Sequence, residues 1–482
     1  MRFRPAYYIA FLLIFAAPQL SIAVQIDTII IAGNFKTKPQ VILQQLEFKQ
    51  GIQFDFKEVE HRKRISRENL INLNLFNQII LSLKEIKNSK GHYVLGVEVT
   101  EKWYLWPVPF VEFADRSIYQ WSEFQFDPSR TNFGINIHKY NLFGLNQTLK
   151  VGLSMGYTDE VDFSYRSPRF GLEQQHRISM GAYWNRADEI WINTQNNKLQ
   201  FYSNYGDEVI ERKGLGFGWE WFRNNRNTMS AGVVQRSYEI LDPQALEKNT
   251  SYLGVLSGSS ETEALSQISR TTIYSTWVMD HRDNRFFAVR GHYISFGAAV
   301  STYRDPGGGD IGGGLSFGFG GKVSKFMQLK NRLFGYFSFQ AEKVYWDWQA
   351  PYNFSRALGY GEYVRGYEPF VVDATGFALV KAGLKYELVN GDFDLGVSSL
   401  NAYRVCPVAI YIGTYVDQAW TEPVSRFSNY ASNTGNTLPG QHLAGAGIGI
   451  EGVFYYDKVF RFEYSLSRHF QPVWGVYFKQ AI

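Results

Sequence analysis

The sequence predicts a mainly β protein, in which a transmembrane antiparallel β-barrel follows a small N-terminal α+β domain. Aromatic residues make up 17% of the 482 residues, and glycine occurs 44 times. The longest stretch without charged or strongly polar residues, Ala6–Ala17, is too short for a membrane helix, which needs about 20 residues. Abundant aromatic residues and glycines without such a helix are typical of a transmembrane β-barrel.

The overall composition excludes several other classes of protein. Hydrophobic residues make up 45% of the chain and the net charge is only +4, so the chain is not intrinsically disordered. The single cysteine, Cys406, excludes a disulfide scaffold. The near-balance of 49 basic and 45 acidic residues does not indicate the basic stripe of a nucleic-acid-binding domain, so we expect no nucleic acid partner.

Residues 1–23 have the pattern of a secretory signal peptide. Arg2 and Arg4 precede the apolar run Ala6–Ala17, and the small-x-small sequence Ser21–Ala23 follows it. We therefore expect export through the inner membrane of a bacterium, with cleavage after Ala23.

Residues 24–102 form the predicted small domain, with the order β-α-α-β-β. The predicted elements are a strand at Gln25–Ala32, a helix from Pro39, a helical stretch at Lys57–Phe76, and strands at Gln78–Ile86 and His92–Glu101. The charged run His61–Arg64 is interpreted as a solvated helix face.

From Trp103 to the C-terminus, apolar and polar residues alternate as in membrane-spanning strands. In Ala378–Val389 the even positions are apolar, while Lys381, Lys385 and Glu387 occupy odd positions. Val408–Asp417 and Val459–Ser467 repeat this pattern, which places Asp417 on the lumen side. Residues 103–482 have room for about 12 to 18 strands, and we expect an even number. The loops Asp242–Ser269 and Trp346–Thr375 should lie outside the cell, with short turns on the periplasmic side.

Several short motifs connect the barrel to one family. Val364-Arg365-Gly366-Tyr367 resembles the V-R-G-[FY] loop of the BamA-like outer-membrane assembly and transport superfamily. The small domain resembles a single POTRA domain and the barrel resembles the bacterial surface antigen type. Three further matches are Asn74–Ile79 (NLFNQI), Asp280–Asn284 (DHRDN) and Tyr415–Trp420 (YVDQAW), the last with Ala419 where glycine is usual.

The resemblance implies a 16-stranded barrel and a loop that folds back into the lumen. In related proteins the loop arginine contacts acidic residues of the inner wall. We therefore hypothesise that Arg365, with Gly366 and Tyr367 beside it, latches the loop to Glu387 or Asp417 through a guanidinium–carboxylate pair. The alternative is that Arg365 is one more lumen charge facing water.

The barrel seam, where the first strand meets the last, is the second predicted site. The first strand carries Pro107 and Pro109, and proline belongs on edge strands because it donates no ladder hydrogen bond. The last strand contains Val476 and Phe478. Because of the prolines we expect the seam to be short of hydrogen bonds. The resemblance implies that it is a lateral gate, which opens to accept client strands by β-augmentation. Alternatively, both prolines lie in the linker from the small domain.

The chain shows no sign of catalysis, so we expect neither an enzyme nor a cofactor. Gly152–Gly156 fits G-x-S-x-G, but the segment alternates as a strand instead of turning into a helix. Gly447, Gly449 and Gly452 fit G-x-G-x-x-G, and a hairpin follows them where a helix is required. The eight histidines form no metal-ligand pattern.

The resemblance implies an outer-membrane protein assembly factor that assists the folding and insertion of β-barrel or surface proteins. The implied location is the bacterial outer membrane, with the small domain in the periplasm. The implied partners are outer-membrane lipids, unfolded outer-membrane or secreted clients, periplasmic chaperones and accessory lipoproteins. Two alternatives stay open: a pore that exports a partner polypeptide, and a passive pore.

Overall fold

The structure is a computed structural model, in which the chain divides into two units with the boundary in the sequence between Glu101 and Lys102. It describes residues 23–114, 121–122, 124–204, 207–248, 255–256, 262–263, 266–304, 314–346, 354, 356–394, 396, 405–422, 435–455, 457–469 and 471–480. The predicted signal peptide lies outside the described residues, apart from Ala23. No helix in these ranges is long and apolar enough to cross a membrane.

The first unit packs two helices against a four-stranded sheet. Its elements in chain order are β1 (Ala23–Ala32), α1 (Pro39–Leu43), β2 (Gln53–Asp55), α2 (Phe56–Asn72), β3 (Phe76–Glu85) and β4 (His92–Glu101). Pro39 opens α1, and the carboxylate of Asp55 caps α2 by accepting a hydrogen bond of 3.0 Å from the amide of Lys57. The fully buried core side chains include Ile26, Ile42, Leu70, Leu75 and Leu95.

The structure differs from the predicted element order in two places. A short strand, β2, separates the helices, and its three residues are too few to produce a periodic signal. The second helix ends at Asn72 rather than Phe76, because Asn74 takes a left-handed conformation with φ of 61° and Phe76 begins β3. The sheet order β2-β1-β4-β3 places β3 at an edge, which is the strand predicted at Gln78–Ile86.

The second unit is almost entirely β. Its strands before residue 250 are β5 (Leu105–Phe113), β6 (Thr131–Leu142), β7 (Gln147–Gly156), β8 (Thr158–Arg166), β9 (His176–Ala187), β10 (Glu189–Gln195), β11 (Lys198–Ser203), β12 (Ile210–Phe222) and β13 (Asn227–Ile240). After them come α3 (Pro243–Lys248), β14 (Val255–Leu256), β15 (Thr262–Glu263), β16 (Gln267–Asp280), β17 (Gly291–Arg304), β18 (Gly314–Lys330), β19 (Leu333–Trp346), β20 (Gly376–Asp394), β21 (Val405–Thr421), β22 (His442–Phe454), β23 (Lys458–Ser467) and β24 (Pro472–Gln480). A single 3-10 turn, Pro128–Arg130, precedes β6.

Sixteen of these strands form one antiparallel sheet, which confirms the predicted barrel and strand number. The sheet begins at β5 and ends at β24, and the two hairpins β10–β11 and β14–β15 stand outside it. Its two ends approach each other, since Lys102 before β5 forms an ion pair of 3.3 Å with Asp457 before β23. The segments read as G-x-S-x-G and G-x-G-x-x-G lie within β7 and β22, so both are strands.

Side chains alternate between the lumen and the outer surface as predicted. On β21, Ile412 and Val416 are exposed on the outside, whereas Tyr411, Tyr415 and Asp417 are buried on the inside. On β23, the exposed residues are Phe460, Phe462 and Tyr464, and Glu463 is buried. This alternation gives the outer wall an apolar surface of the kind that faces lipid.

The barrel has two distinct rims, named here from the direction of the first strand. The proximal rim is the end at which β5 begins, and the distal rim is the opposite end. The β10–β11 hairpin, α3 and the long segment between β19 and β20 all leave the barrel at the distal rim. This agrees with the prediction that the long loops share one end.

At the proximal rim one pair of strands is longer than its neighbours. β20 and β21 remain paired from Val389 with Ile410 to Asp394 with Val405, beyond the point where β19 begins. This two-stranded extension, residues 389–394 and 405–410, is called the ribbon below. The extra length of this pair was not predicted, because strand length depends on non-local pairing that alternation alone does not reveal.

Candidate functional site

The segment between β19 and β20 enters the barrel and carries Arg365 to the inner wall. The amide of Tyr367 donates a hydrogen bond of 3.0 Å to the carbonyl of Val364, so the motif forms a tight turn. Val364 and Tyr367 are buried in an apolar cluster with side chains of the wall, including Leu379, Ala419 and Leu443. The apolar residues of the motif thus fix the turn that presents Arg365.

Arg365 forms a bidentate ion pair with Asp417 on β21. Its Nε and Nη2 atoms lie 2.8 and 2.6 Å from the two carboxylate oxygens, and its backbone amide donates a third bond of 3.1 Å. The side chains of Arg365 and Asp417 are 7% and 0% exposed. The structure therefore brings together these two predicted residues in a site from which water is excluded.

Two further strands complete the surroundings of the Arg365 guanidinium. Nη1 donates to Glu463 on β23 at 3.1 Å, and Nη2 donates to the hydroxyl of Tyr336 on β19 at 2.9 Å. The ring of Tyr415 lies 3.6 Å from the guanidinium carbon, in cation–π geometry. Burial disfavours the charge, but the bonds and charges of these partners outweigh it and raise the pKa of Arg365 above its ordinary value.

Two glycines allow the loop backbone to approach the wall this closely. Gly366 has φ of +93°, and a Cβ on it would lie 2.9 Å from the backbone of Leu466 and Ser467. A Cβ on Gly445 of β22 would overlap the carbonyl oxygen of Arg365. A larger residue at either position would therefore push the loop away from β22 and β23.

The loop has two additional anchors before Arg365. Glu362 forms ion pairs with Lys322 on β18 at 3.3 Å and with Lys381 on β20 at 3.5 Å. The ring of Tyr363 stacks on Tyr477 of β24, with the ring centres 6.4 Å apart. With Tyr336 on β19 and Gly445 on β22, the loop therefore contacts all seven strands from β18 to β24.

A third set of contacts ties the distal segments to one another. The amide of Asn197, at the tip of the β10–β11 hairpin, donates to Asn436 at 2.7 Å. Its side-chain oxygen accepts bonds from the amides of Thr437 and Leu438, and its carbonyl accepts one from Val371. The hairpin, the Arg365 loop and residues 435–438 are thereby joined across the distal end of the lumen.

The predicted alternative partner Glu387 does not reach Arg365. Its carboxylate accepts hydrogen bonds from Tyr411 at 3.2 Å and Asn390 at 2.8 Å. On β20 it lies six residues from Lys381, which pairs with Asp417, and this corresponds to about 20 Å along a strand. Alternation placed Glu387 on the correct face but carried no information about its height, so this part of the hypothesis was wrong.

The seam residues lie at the two ends of the sheet. Pro107 and Pro109 pair with Ile137 and Ile135 inside β5, so the alternative that both prolines belong to the linker was wrong. Val476 and Phe478 lie in β24 and are 41% and 62% exposed on the outer surface. Within the described residues no strand pairing joins β5 to β24.

Backbone hydrogen bonds show which groups of β5 face the seam. The carbonyl of Tyr104 accepts a bond from the amide of Tyr140, and the amide of Ala114 donates to the carbonyl of Arg130, so the even positions of β5 have their backbone groups turned towards β6. The odd positions, which include Pro107 and Pro109, are therefore turned towards the seam. On β24, the amide of Ser467 donates to the carbonyl of Gln471, so the odd positions of β24 have their backbone groups turned towards β23. The backbone groups of the even positions, which include Val476 and Phe478, are therefore turned towards the seam, while their side chains lie on the outer surface.

Sequence reasoning missed several residues that surround Arg365. The alternation of apolar and polar residues already placed the side chains of Glu463 and Tyr415 on the lumen face. Only their positions along the barrel axis relative to the loop were unknown. Gly445 carried a signal of its own, because a glycine inside a strand often marks the close approach of another backbone. Tyr336 gave no signal that distinguishes it from the other inward tyrosines.

Comparison with protein-family models identifies two domains in this chain. The model for the Omp85 superfamily domain matches residues 141–399, and a POTRA model described as surface antigen variable number repeat matches residues 24–102. No curated protein matches the chain.

Two solved structures show a similar fold. BamA from Haemophilus ducreyi lacking POTRA domains 1–3 is 11% identical with a TM-score of 0.50, over 94% of this chain and 85% of that one. CdiB from Escherichia coli is 11% identical with a TM-score of 0.51, over 94% of this chain and 75% of that one.

Proposed function

Because the chain belongs to the Omp85 superfamily, we propose that it is an outer-membrane assembly factor that assists the folding and insertion of β-barrel or surface proteins. Members of this superfamily act on protein clients in the outer membrane. The fold is equally similar to BamA and to CdiB, so the assignment rests on the lumen and the seam.

The observation that carries the proposal is the seam edge of β5. Pro107 and Pro109 both face the seam, so two positions that would donate hydrogen bonds to β24 have no donor. Each backbone hydrogen bond contributes about 0.5–1.5 kcal/mol net, so a seam without two of them separates more easily than the same seam with both donors present. A client strand could then add to the exposed edge of β24 by β-augmentation.

The small domain offers a second edge of the same kind. Ile86 donates to His92, so the even positions of β3 face β4, and Ile79, Leu81 and Leu83 are turned towards the free edge. We infer that an unfolded client or a partner lipoprotein pairs with this edge in the periplasm. Folding of the client supplies the free energy, so neither nucleotide nor catalytic residues are required.

The distal contacts favour assembly over export or passive flow. A polypeptide leaving through the lumen would have to break the bonds that join Asn197 to Asn436, Thr437 and Leu438, and would have to displace the Arg365 loop. Insertion through the seam leaves all of these contacts in place. Export of a partner polypeptide is the alternative that the following experiment also examines.

The test is the folding of a urea-denatured small β-barrel into liposomes that contain the purified protein, followed by gel shift. One variant carries Val111→Cys on β5 and Trp474→Cys on β24, both exposed on the outer surface of the two edge strands, in a Cys406→Ser background. The matched control carries Phe217→Cys and Val233→Cys, a pair already opposed in β12 and β13. We expect the oxidised seam variant to lose acceleration and to regain it on reduction, whereas the control stays active. Acceleration by the oxidised seam variant would contradict seam opening, and no acceleration by the folded wild type would favour export.

A further inference from the structure

Five arginines gather at the proximal rim on two strands and two turns. They are called the proximal arginine cluster: Arg166 at the end of β8, Arg169 after it, Arg177 at the start of β9, and Arg282 and Arg285 in the turn after β16. Two carboxylates, those of Glu220 on β12 and Asp280 on β16, lie among them. None of these residues contributes to the Arg365 contact or to the seam.

The strand residues of the cluster face the lumen. Arg177 pairs directly with Glu220, and Arg166 pairs with Ser179, two positions further along β9 on the same face. The alternate positions of these strands, such as Phe163, Met180 and Trp219, are exposed on the outer surface. The cluster therefore lines the proximal mouth of the lumen and is separated from lipid by the wall.

The two carboxylates are already occupied by other members of the cluster. The carboxylate oxygens of Glu220 accept hydrogen bonds of 2.9 and 3.0 Å from Arg166. The carboxylate of Asp280 accepts two hydrogen bonds of 2.8 Å from Arg282 and forms an ion pair of 3.1 Å with Arg285. Within this set, five guanidinium groups thus face two carboxylates.

Arg177 lies at the floor of the cluster and shares its counterion, Glu220, with Arg166. Its side chain is 6% exposed, its distance to Glu220 is 3.9 Å, and its Nε has no hydrogen-bond partner among the described residues. Burial disfavours its charge, and the charges of Arg166, Arg169 and Arg285 repel it, whereas the charge of Glu220 attracts it. A buried guanidinium in this state is costly, and an added anion would relieve both the repulsion and the missing bond.

Arg169 is the second member with no carboxylate of its own. It donates to the side-chain oxygen of Asn225 at 2.9 Å and lies over the ring of Phe222 at 3.9 Å. Arg177 lies over the same ring at 5.4 Å. Phe222 therefore holds both guanidinium groups beside one another, while Arg166 and Arg285 remain 47% and 39% exposed at the opening.

We propose that the proximal arginine cluster binds carboxylate groups of an unfolded polypeptide at the mouth of the lumen. Guanidinium groups bind carboxylates through two parallel hydrogen bonds, and the cluster presents such groups without carboxylates of their own. A lipid headgroup fits less well, since its acyl chains would have to leave the apolar outer surface for the lumen. The proposal rests on the proposed function, because it supposes that the protein receives unfolded chains.

The test is fluorescence anisotropy with the full-length protein in detergent micelles. The probe is a labelled eight-residue peptide with three glutamates and an amidated end, compared with the same peptide carrying glutamines. A third peptide with glutamines and a free C-terminal carboxylate distinguishes side-chain from terminal carboxylates. We expect the protein to prefer a carboxylate peptide by at least tenfold, about 1.4 kcal/mol.

The variants assign that preference to the cluster. Arg177→Gln should remove most of it, and the double variant Arg169→Gln/Arg285→Gln should do the same if the first does not fold. Arg290→Gln is the matched control, because Arg290 lies on the same turn but bonds to Gln328. Ligand-free Arg177→Gln should melt at the same temperature as the wild type or higher, since it removes a poorly neutralised buried charge.

Several results would overturn the proposal. Equal binding of the glutamate, free-acid and glutamine peptides would do so, as would a preference that survives in both cluster variants. A melting temperature of Arg177→Gln far below that of Arg290→Gln would show that the charge is neutralised internally. Binding of phosphatidylglycerol vesicles that depends on Arg177, without peptide binding, would assign the site to lipid. In each case, client insertion by the wild type in liposomes would leave the proposed function standing.

Discussion

Arg365 and the seam edge of β5 satisfy their hydrogen-bonding groups in opposite ways within one barrel. Each guanidinium nitrogen of Arg365 donates to a side chain of the wall, and the group is almost completely buried. On β5, Pro107 and Pro109 donate nothing towards β24. The comparison shows that hydrogen bonds are distributed unevenly within the barrel. The lumen loop is held by several contacts at once, whereas the wall lacks two backbone donors at the seam.

Removing the carboxylate of Asp417 should have the largest effect on this comparison. Asp417→Ala leaves the Arg365 charge buried without its main partner, so we expect a loss of about 3–5 kcal/mol in the free energy of unfolding. The urea midpoint of the gel-shift transition measures this loss. Glu387→Ala is the control and should cost about 1 kcal/mol, because Glu387 bonds only to Tyr411 and Asn390. Equal losses in the two variants would show that the loop is not held by this pair.

A methyl group at Gly445 should have an intermediate effect. In Gly445→Ala the new Cβ would overlap the Arg365 carbonyl oxygen, so the loop must shift at a cost of about 2–3 kcal/mol. Limited proteolysis of residues 356–375 and the urea midpoint would both report the displacement. Gly361→Ala, where a Cβ meets nothing within 4 Å, is the control and should change neither. If Gly445→Ala also changed neither, the close approach of the loop to β22 would be wrong.

Restoring donors at the seam should have the smallest effect on stability. Pro107→Val/Pro109→Val adds two amides that face β24, and we expect a gain of about 1–2 kcal/mol. Client insertion in liposomes should slow by about tenfold, because a stronger seam opens less often. Val111→Ile alters the same edge without adding a donor and should leave the rate unchanged. A faster rate in the proline variant would contradict the proposed route of insertion.

The faces of the strands could be predicted from the sequence because side-chain alternation is local. The outward positions of Ile412 and Val416 and the inward position of Asp417 follow from a period of two residues, whichever strands lie beside β21. The edge position of Pro107 and Pro109 was predictable for a similar reason, since a missing amide is a property of the residue itself.

Heights within the barrel could not be predicted, because they depend on the register of distant strands. Asp417 and Glu387 have the same parity class and lie on paired strands, yet only one reaches the loop. Glu463 joins Arg365 from a strand that is 98 residues away in sequence. The extra length of β20 and β21 could not be predicted for the same reason, because the length of a strand depends on how far its partner strand extends.

The ribbon also has a practical consequence. Cys406, the only cysteine of the 482 residues, is 5% exposed and lies opposite Phe393 where β20 and β21 pair with each other beyond β19. A thiol in that position reacts with an alkylating reagent only when the local structure opens. Its labelling rate therefore measures how often the proximal rim opens. Comparing the labelling rate of Cys406 in the presence and absence of client would show whether a client changes the opening of the proximal rim, and it needs no introduced probe.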